Sequence, residues 1–194
     1  MADIAVHPAT PDRWHDVAAV FGRRGEDASW DWCRVLLTPG PPGADGRPDN
    51  RRALHDEVDG GATPPGLIAY LDGRPGGWSR VGRRDAFVGV TGNRTLARHL
   101  VPDPETWWVT CFSVQTAVRG RGVATALLAA DVAHASAHGA SAVEGYPVDV
   151  EHLAARKVGA SALYTGTQRL FESAGFVEVA RPSATRPLMR LELR

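Results

Sequence analysis

The chain has 194 residues, 43% of them hydrophobic and 23% charged, so it can bury a full core without a metal ion or a set of disulfides. Its 22 basic and 22 acidic residues cancel, which excludes an overall attraction to nucleic acid or to an anionic membrane. We therefore expect residues 1–194 to form one domain that binds neither nucleic acid nor membrane.

The cysteines and the N-terminal residues predict a cytoplasmic protein. Cys33 and Cys111 lie far apart without a framework spacing, which indicates reduced thiols. Residues 1–4 lack the basic region and the long apolar run that open a secretory signal. No stretch reaches the ~18 apolar residues that a membrane span requires.

The N-terminal third is expected to be mainly helical. Thr10 and Pro11 suit the N-cap and the first position of a helix. Apolar residues within 30–37 indicate a second, short helical segment, whereas the prolines and glycines of residues 38–46 exclude a helix or a central strand. Residues 50–58 then predict a helix that ends at a glycine pair.

Strands begin in the middle of the chain. Residues 65–71 and 76–81 predict an antiparallel hairpin, because the Asp-Gly pair between them accepts the positive φ of a tight turn. Residues 93–100 favour a short helix before the next strand.

The most informative pattern follows this helix. A strand rich in aromatic and β-branched residues, 107–114, leads into a turn that ends in Gly-Arg-Gly at 120–122, and a helix runs from 123 to 138. A glycine turn at a helix start presents unpaired backbone N–H groups and the positive end of the helix dipole in one place, which suits a pyrophosphate. The pattern predicts a phosphate-bearing cofactor.

Two common phosphate-binding motifs do not fit this turn. A P-loop requires a lysine and then a serine or threonine after its last glycine, but Val123 follows Gly122. The dinucleotide fingerprint requires a third glycine at the position of Thr125. A different class of cofactor is therefore expected.

The segment Arg119-Gly120-Arg121-Gly122-Val123-Ala124 resembles the Arg/Gln-x-x-Gly-x-Gly/Ala signature of the GNAT superfamily, the acyl-CoA-dependent N-acyltransferases. Residues 142–149 resemble the strand that follows in this family. Residues 170–179 resemble its last helix and the Gly-Phe exit into a terminal strand. The resemblance implies an α/β (α+β) fold with a mixed, mostly antiparallel central sheet flanked by helices. It also implies a splay between the two central strands, and acetyl-CoA as co-substrate.

The same resemblance implies where acetyl-CoA binds. The N–H groups of residues 120–125 are expected to hold the pyrophosphate with help from a neighbouring arginine, and the end of the preceding strand is expected to pair with the pantetheine arm. A bulge near residues 112–114 is expected to aim an N–H group at the thioester carbonyl. The residues assigned to the cofactor are Phe112, Ser113, Val114, Arg119, Gly120, Arg121, Gly122, Val123, Ala124, Thr125 and Phe171.

The general acid departs from the family pattern. In many family members, a tyrosine in a Leu-Tyr-Glu context of the last helix protonates the departing thiolate. This chain has Leu170-Phe171-Glu172 there, and phenylalanine cannot donate a proton. Tyr164 and Tyr146 remain as candidate acids, with aromatic packing as the alternative for each, and the thiolate could also leave unassisted.

Glu144 is the candidate general base, because it lies on the strand expected beside the acyl site, where burial could raise its pKa. A solvent-facing strand position is the alternative. Asp149 and His152 lie just past this strand and are further candidates. Trp108 stands where some family members carry a glutamate, so it is expected to line a pocket or to pack in the core.

Other reactive residues form weaker patterns. His134 and His138 have the spacing of metal ligands on a helix but no third ligand in the same motif, so no metal is expected. Cys111 would allow an acyl-cysteine route, although an inert thiol suits a buried strand better. Trp30 and Trp32 are expected either to form an aromatic wall around an amine or to pack in the core.

These features predict an enzyme that transfers an acetyl group from acetyl-CoA to a primary amine of a small molecule by direct attack. Three alternatives stay open: an amine on a peptide or protein, another acyl-CoA donor, and a CoA-binding module without catalysis. Substrate selectivity is expected to depend on residues 21–45 and 82–105. The sequence leaves open whether a terminal strand near residues 188–193 joins two copies in a homodimer.

Overall fold

A seven-stranded sheet forms the centre of the fold. The computed structural model describes residues 3–27, 30–37, 49–153 and 163–193. The strands are β1 Ile4–Pro8, β2 Gly66–Leu71, β3 Arg74–Arg83, β4 Thr106–Val114, β5 Ala142–Gly145, β6 Val177–Ser183 and β7 Arg186–Glu192. They lie side by side in the order β1-β2-β3-β4-β5-β7-β6.

The two central strands separate part of the way along the sheet. Within the described ranges, β4 and β5 form the one parallel pair of neighbouring strands, and the other pairs are antiparallel. The parallel ladder runs from Thr106 opposite Ala142 to Val109 opposite Gly145. β4 continues to Val114 beyond this ladder, whereas β5 ends at Gly145. The mixed, mostly antiparallel sheet with its central splay confirms the predicted fold class.

Helices cover both faces of the sheet. They are α1 Trp14–Phe21, α2 Asn50–Gly60, α3 Val88–Thr91, α4 Arg94–Ala97, α5 Val123–Ala137 and α6 Gln168–Ser173. Asp49 caps α2 by accepting a hydrogen bond from the N–H of Arg52 at 2.9 Å, and Asn93 and Thr167 cap α4 and α6 in the same manner. Among the described residues, no helix is long and apolar enough to cross a membrane.

The two faces of the sheet bury separate apolar clusters. Leu127 and Leu128 of α5 pack over one face and have no exposed surface. On the other face, Val17 of α1 and Leu54 of α2 pack in a cluster with Trp78 of β3. Full burial of one such side chain stabilises the fold by about 1.5–3 kcal/mol, so packing holds the helices on the sheet.

The hairpin and the helix before it agree with the sequence pattern, but β1 was not predicted. Asp72 and Gly73 form the turn between β2 and β3 with φ values of 50° and 75°. The first strand, Ile4–Pro8, is a five-residue edge strand whose neighbour is β2. An edge strand of this length lacks the alternating pattern that marks longer strands.

The predicted helical segment at residues 30–37 is wrong, because these residues form turns. Trp32 and Cys33 have positive φ values of 46° and 55°, which exclude a right-handed helix. Cys33 and Cys111 join in a disulfide with their Cα atoms 6.0 Å apart, so the expectation of reduced thiols is also wrong. The fold brings together two cysteines that are 78 residues apart, a contact that spacing does not reveal. The predicted loop at 38–46 lies outside the described residues.

Candidate active site

A cavity of about 1200 Å³ follows the free end of β4. It extends from the start of α5, along the last residues of β4, to the turns at residues 30–33. The end of α1 and the loop at residues 163–167 complete its wall. A cavity of this size can hold an extended cofactor together with part of a second substrate.

The start of α5 forms one end of the cavity. Gly120 and Gly122 adopt left-handed conformations with φ values of 73° and 85°, which favour glycine. The N–H of Ala126 donates to the carbonyl of Gly122 at 3.0 Å. The N–H groups of residues 123–125 precede this helical ladder and have no partner within it. They combine with the helix dipole to make this end of the cavity attractive to an anion.

The bulge of β4 lies at Thr110. Val109 pairs with Val81 and Cys111 pairs with Arg80, so Thr110 has no counterpart on β3. The bulge therefore lies two residues before Phe112, near the predicted stretch 112–114. Its position coincides with the end of the β4–β5 ladder, so the irregularity and the splay occur together.

The ladder beyond the bulge determines which backbone groups face away from β3. The N–H of Gln115 donates to the carbonyl of Gly76 at 2.9 Å. By alternation, the N–H groups of Phe112 and Val114 point to the opposite side, toward the splay. The N–H of Phe112 donates to the carbonyl of Tyr164 at 2.6 Å. Val114 thus presents its N–H on the cavity side of β4.

The loop at residues 163–167 fills part of the splay. Val148 anchors this loop, because its N–H donates to the carbonyl of Gly166 at 3.0 Å and its carbonyl accepts from Gln168 at 2.9 Å. Gly166 has a φ of 80°, and a Cβ at this position would lie 3.1 Å from the ring of Phe112. The loop holds Tyr164 in the cavity wall, where burial raises the pKa of its hydroxyl.

The turns at residues 30–33 form the opposite end of the cavity. The Cys33–Cys111 disulfide ties these turns to β4, and both cysteines line the cavity beside Trp30. Trp30 is 42% exposed, whereas Trp32 is fully buried in the core. Trp32 therefore packs in the core, and Trp30 lines the cavity.

Asp31 also lines this end of the cavity, and no sequence motif marks it. Its Oδ1 accepts a hydrogen bond from the N–H of Val35 at 2.9 Å. Burial raises the pKa of Asp31, against the opposing effects of backbone hydrogen bonds and the charge of Arg80. The position of Asp31 depends on the tether through Cys33, which is why the sequence pattern missed it.

Most residues assigned to the cofactor lie in the cavity wall. These are Phe112, Ser113, Val114, Arg119, Gly120, Gly122, Val123, Ala124 and Thr125. Arg121 instead forms an ion pair with Asp72 at 3.2 Å, on the β2–β3 turn. Phe171 has no exposed surface and packs in the core. Arg121 and Phe171 therefore lie outside the described cavity wall, and Leu170 lines the cavity from α6.

The two candidate acids lie in different places. Tyr164 lines the cavity. Tyr146 packs in a cluster with Trp108 and Leu188, and the guanidinium carbon of Arg186 lies 5.8 Å from its ring centroid. Trp108 is a core residue with 1% exposure, which is one of its two predicted roles. Of the two tyrosines, Tyr164 is the one placed to meet a substrate.

Glu144 lies in a buried ion-pair network and not in the cavity wall. It has no exposed surface, and its two carboxylate oxygens accept hydrogen bonds from Arg84 at 2.7 Å and from Arg190 at 2.8 Å. Arg190 also pairs with Asp103 at 3.2 Å. A general base must reach the proton that it removes, so this geometry argues against Glu144 as the base.

Asp149 and His152 belong to a separate cluster. His152 Nδ1 lies 2.7 Å from Asp149 Oδ2, and Arg181 donates to the same oxygen at 2.9 Å. Burial alone would raise the pKa of Asp149, but the hydrogen bonds from His152 and Arg181 lower it to about 2. A carboxylate this acidic is a weak base near neutral pH, and neither Asp149 nor His152 contributes to the described cavity wall.

His134 and His138 pack beside Trp107 of β4. The centroids of the two imidazole rings are 4.3 Å apart, and each lies within 5.7 Å of the Trp107 ring centroid. Burial, with a smaller effect of His138, lowers the pKa of His134 to about 4. In the part of the chain that the structure describes, no three potential metal ligands come together.

Comparison with known proteins gives a family and a fold. The model of the family described as "Acetyltransferase (GNAT) family" matches residues 30–176. The comparison with curated proteins finds no match. The comparison with solved structures finds many chains of the same fold, three of which follow.

A GCN5-related N-acetyltransferase from Kribbella flavida is 18% identical, with 98% of each chain covered and a TM-score of 0.55. The yncA protein of Salmonella typhimurium, solved with its cofactor acetyl-CoA, is 17% identical over 99% of this chain and 95% of its own, with a TM-score of 0.55. The diaminobutyrate acetyltransferase EctA from Paenibacillus lautus, in complex with its substrate L-2,4-diaminobutyric acid and coenzyme A, is 16% identical over 99% and 96%, with a TM-score of 0.50. At these identities the likeness establishes the fold.

Proposed function

Because this chain belongs to the GNAT family of acetyltransferases, we propose that it transfers the acetyl group of acetyl-CoA to a primary amine of a small molecule. Membership in this family makes the chain an acyl-CoA-dependent N-acyltransferase and sets aside the alternative of a CoA-binding module without catalysis. The observation that carries the proposal is the continuous cavity between the start of α5 and the turns at residues 30–33. It joins an end suited to phosphate with an end suited to an amine.

The cofactor end fits the pyrophosphate of acetyl-CoA. The left-handed glycines at 120 and 122 leave the backbone open to close approach, and Arg119 lines the cavity beside them. Each hydrogen bond to a charged phosphate oxygen contributes about 1.5–3 kcal/mol. The N–H of Val114 is the group that we expect to pair with the pantetheine arm, as an added strand would. The acetyl-CoA bound by the yncA protein of the same fold supports this choice of donor.

Tyr164 is the residue that we expect to protonate the departing sulfur. It lines the cavity, and burial raises the pKa of its hydroxyl, so Tyr164 keeps its proton at neutral pH. The route is direct, because Cys111 is held in a disulfide and offers no thiol to carry the acetyl group. Tyr164→Phe should lower kcat by about 10²-fold and remove the alkaline limb of its pH profile. An unchanged kcat would indicate that the thiolate leaves unassisted.

The acceptor end favours a small molecule over a peptide. It is bounded by the end of α1, by the turns at residues 30–33 and by the loop at residues 163–167. An end bounded by three separate pieces of the chain suits a compact amine, whereas a peptide needs a long groove. The diaminobutyrate substrate of EctA, a small diamine on the same fold, supports this class of acceptor.

Thiol release from acetyl-CoA in the presence of candidate acceptors tests the proposal. The panel should contain small primary amines, their N-acetylated forms as controls, and short peptides with free N-termini. We expect release with small amines, no release with the N-acetylated controls, and a product heavier by one acetyl group. Release with peptides alone, or with longer acyl-CoA donors alone, would overturn the proposed substrate pair. Absence of CoA binding by calorimetry would overturn the cofactor assignment.

A further inference from the structure

The acceptor end of the cavity presents one negative charge. Asp31 is the one carboxylate among the described residues that line the cavity. Of the two lining arginines, Arg119 belongs to the cofactor end, where its Nε donates to the carbonyl of Val114 at 3.2 Å. Arg23, just after α1, also belongs to the acceptor end, but it is exposed, so solvent and salt screen its charge. A carboxylate in this setting attracts a cation to the acceptor end.

A covalent tether fixes Asp31 near the end of β4. Asp31 lies two residues before Cys33, whose Cα is 6.0 Å from that of Cys111. Cys111 directly precedes Phe112, at the part of β4 that we expect to carry the thioester. Trp32 and Cys33 hold left-handed conformations, which persist only where the surroundings enforce them. The turn that carries Asp31 is therefore held in place.

Backbone N–H groups and two side chains surround the Asp31 carboxylate. Its Oδ1 accepts the hydrogen bond from Val35, and the N–H groups of Cys33 and Arg34 also act on the carboxylate. The charged and titratable groups that face it are Arg80 of β3 and Tyr164 of the loop. Arg80 pairs with Glu57 through Nη1 at 2.8 Å, and its Nε and Nη2 have no hydrogen-bond partner among the described residues. Burial raises the pKa of Asp31, which makes its carboxylate a stronger base than an exposed one.

Aromatic side chains surround the same end. Trp30 and Phe21 both line the cavity beside Asp31. An ammonium ion is stabilised by the face of an indole ring as well as by a carboxylate. The acceptor that suits this end is thus a primary ammonium ion on a compact, partly apolar body.

We infer that Asp31 binds the acceptor as a primary ammonium ion and acts as the general base of the acetyl transfer. The inference rests on the proposed function, because it names the acceptor chemistry and the base of the same site. Asp31 removes one proton from the ammonium ion and later passes it to water. The neutral nitrogen attacks the carbonyl carbon, a C–N bond forms and the C–S bond breaks. The second proton leaves the nitrogen and ends on the departing sulfur.

Asp31→Asn is the variant that separates this role from a structural one. Asparagine keeps the side-chain oxygen that accepts from Val35, but it cannot take up a proton at neutral pH. Asp85→Asn is the matched control, because Asp85 is an exposed carboxylate that pairs with Arg83 outside the described cavity wall. Both variants should be compared with the wild type in thiol release, in CoA affinity by calorimetry, and in circular dichroism.

The assay should use primary amines of graded basicity, from alkylamines to trifluoroethylamine, across a range of pH. For strongly basic amines, Asp31→Asn should lower kcat/KM by about 10²–10⁴-fold and remove the acidic limb of the pH profile. The loss should shrink for trifluoroethylamine, which is already neutral and needs no base before its attack. CoA affinity should stay at the wild-type value, and Asp85→Asn should behave as the wild type does.

Four results would overturn the inference. Wild-type kcat/KM with an unchanged pH profile in Asp31→Asn would remove Asp31 from the reaction while leaving the proposed function standing. An equal loss for amines of every basicity would also remove the base role. A wild type that binds CoA but acetylates no amine would overturn the proposed function together with this inference. If Asp31→Asn also loses CoA affinity, Asp31→Glu decides: a shifted acidic limb supports the base role, and an unshifted one overturns it.

Discussion

The two ends of the cavity are built in different ways. The cofactor end comes from one continuous stretch, residues 112–125, in which a strand, a glycine turn and a helix follow one another. The acceptor end is assembled from three distant pieces at residues 20–23, 30–33 and 163–167. A disulfide and a backbone hydrogen bond attach the second and third pieces to β4. Local geometry shapes the first end, and tertiary contacts shape the second.

This difference implies that the two ends can be perturbed separately. The helix start keeps its N–H groups wherever the strand, turn and helix form, because those groups depend on backbone geometry alone. The acceptor turns keep their shape only while their attachments to β4 hold. A change at the glycine turn should therefore alter CoA affinity, whereas a change at the attachments should alter the KM for the amine.

Substitution of Glu144 alters neither end of the cavity, and we expect it to have the largest effect on stability. Glu144→Ala removes the fully buried carboxylate that accepts from both Arg84 and Arg190, and it leaves Arg84 with backbone carbonyls in place of an ion pair. The free energy of unfolding, measured by urea denaturation, should fall by about 3–5 kcal/mol. CoA affinity and the KM for the amine should stay unchanged in the folded fraction.

Glu192→Ala is the matched control for this network. Glu192 also pairs with Arg190, but its side chain is 69% exposed, so its loss should cost at most about 1 kcal/mol. A Glu144→Ala variant with normal stability and strongly reduced kcat would contradict the structural role and restore Glu144 as a candidate base.

The Cys33–Cys111 disulfide tests the attachment of the acceptor end directly. Reduction, or the double variant Cys33→Ser and Cys111→Ser, removes the covalent link between the turns and β4. The free energy of unfolding should fall by about 2–4 kcal/mol, and the KM for the amine should rise while CoA affinity stays nearly constant. The double variant treated with the same reductant is the control. Equal losses of affinity at both ends would contradict their independence.

Gly122→Glu tests the cofactor end. The substitution forces a side chain into a left-handed position and brings a negative charge beside the phosphate site. CoA affinity measured by calorimetry should fall by about 100-fold, which corresponds to about 2.8 kcal/mol. Gly73→Glu is the matched control, because Gly73 has a φ of 75° in the β2–β3 turn, outside the described cavity wall. Unchanged CoA affinity in Gly122→Glu would move the pyrophosphate away from α5.

The same contrast explains how much of the site could be read from the sequence. The glycine turn was predictable, because its residues are neighbours in the chain and their roles follow from backbone geometry. The role of Glu144 was not, because its partners Arg84 and Arg190 are 60 and 46 residues away and meet it only in the fold. Asp31 was missed for a related reason, since its place in the cavity depends on the contact of Cys33 with Cys111.

The same distinction between local pattern and tertiary contact applies to the fold. The hairpin and the long helix α5 carry their signals in local periodicity and turn residues, whereas the splay between the central strands was implied by the family resemblance. The turns at residues 30–37 contain apolar residues at spacings that suit a helix, but the positive φ values of Trp32 and Cys33 override that pattern. These values are imposed by burial of Trp32 and by the link to β4, and no local rule predicts them.

Substitution of Asp131 should have the smallest effect on stability. It tests whether α5 supports the cofactor end through packing alone. Its carboxyl is fully buried in α5, where Ser79 Oγ donates to Oδ1 at 2.7 Å, and burial raises its pKa well above the usual value. The folded form therefore holds a proton that the unfolded chain releases near pH ~3.9. The stability that this proton contributes is fully present below that pH and is lost as pH rises through the folded pKa.

Asp131→Asn keeps the acceptor oxygen for Ser79 and has no proton to lose. It should flatten the pH dependence of thermal unfolding. At pH 8 it should stabilise the fold by about 1 kcal/mol, because a neutral amide removes the free-energy cost of a carboxyl with a raised pKa, and burial of the amide offsets part of that gain. CoA affinity and the KM for the amine should both match the wild type. A loss of CoA affinity without a loss of stability would show that the buried carboxyl acts on the start of α5. The cofactor end would then depend on tertiary contacts as well as on local backbone geometry.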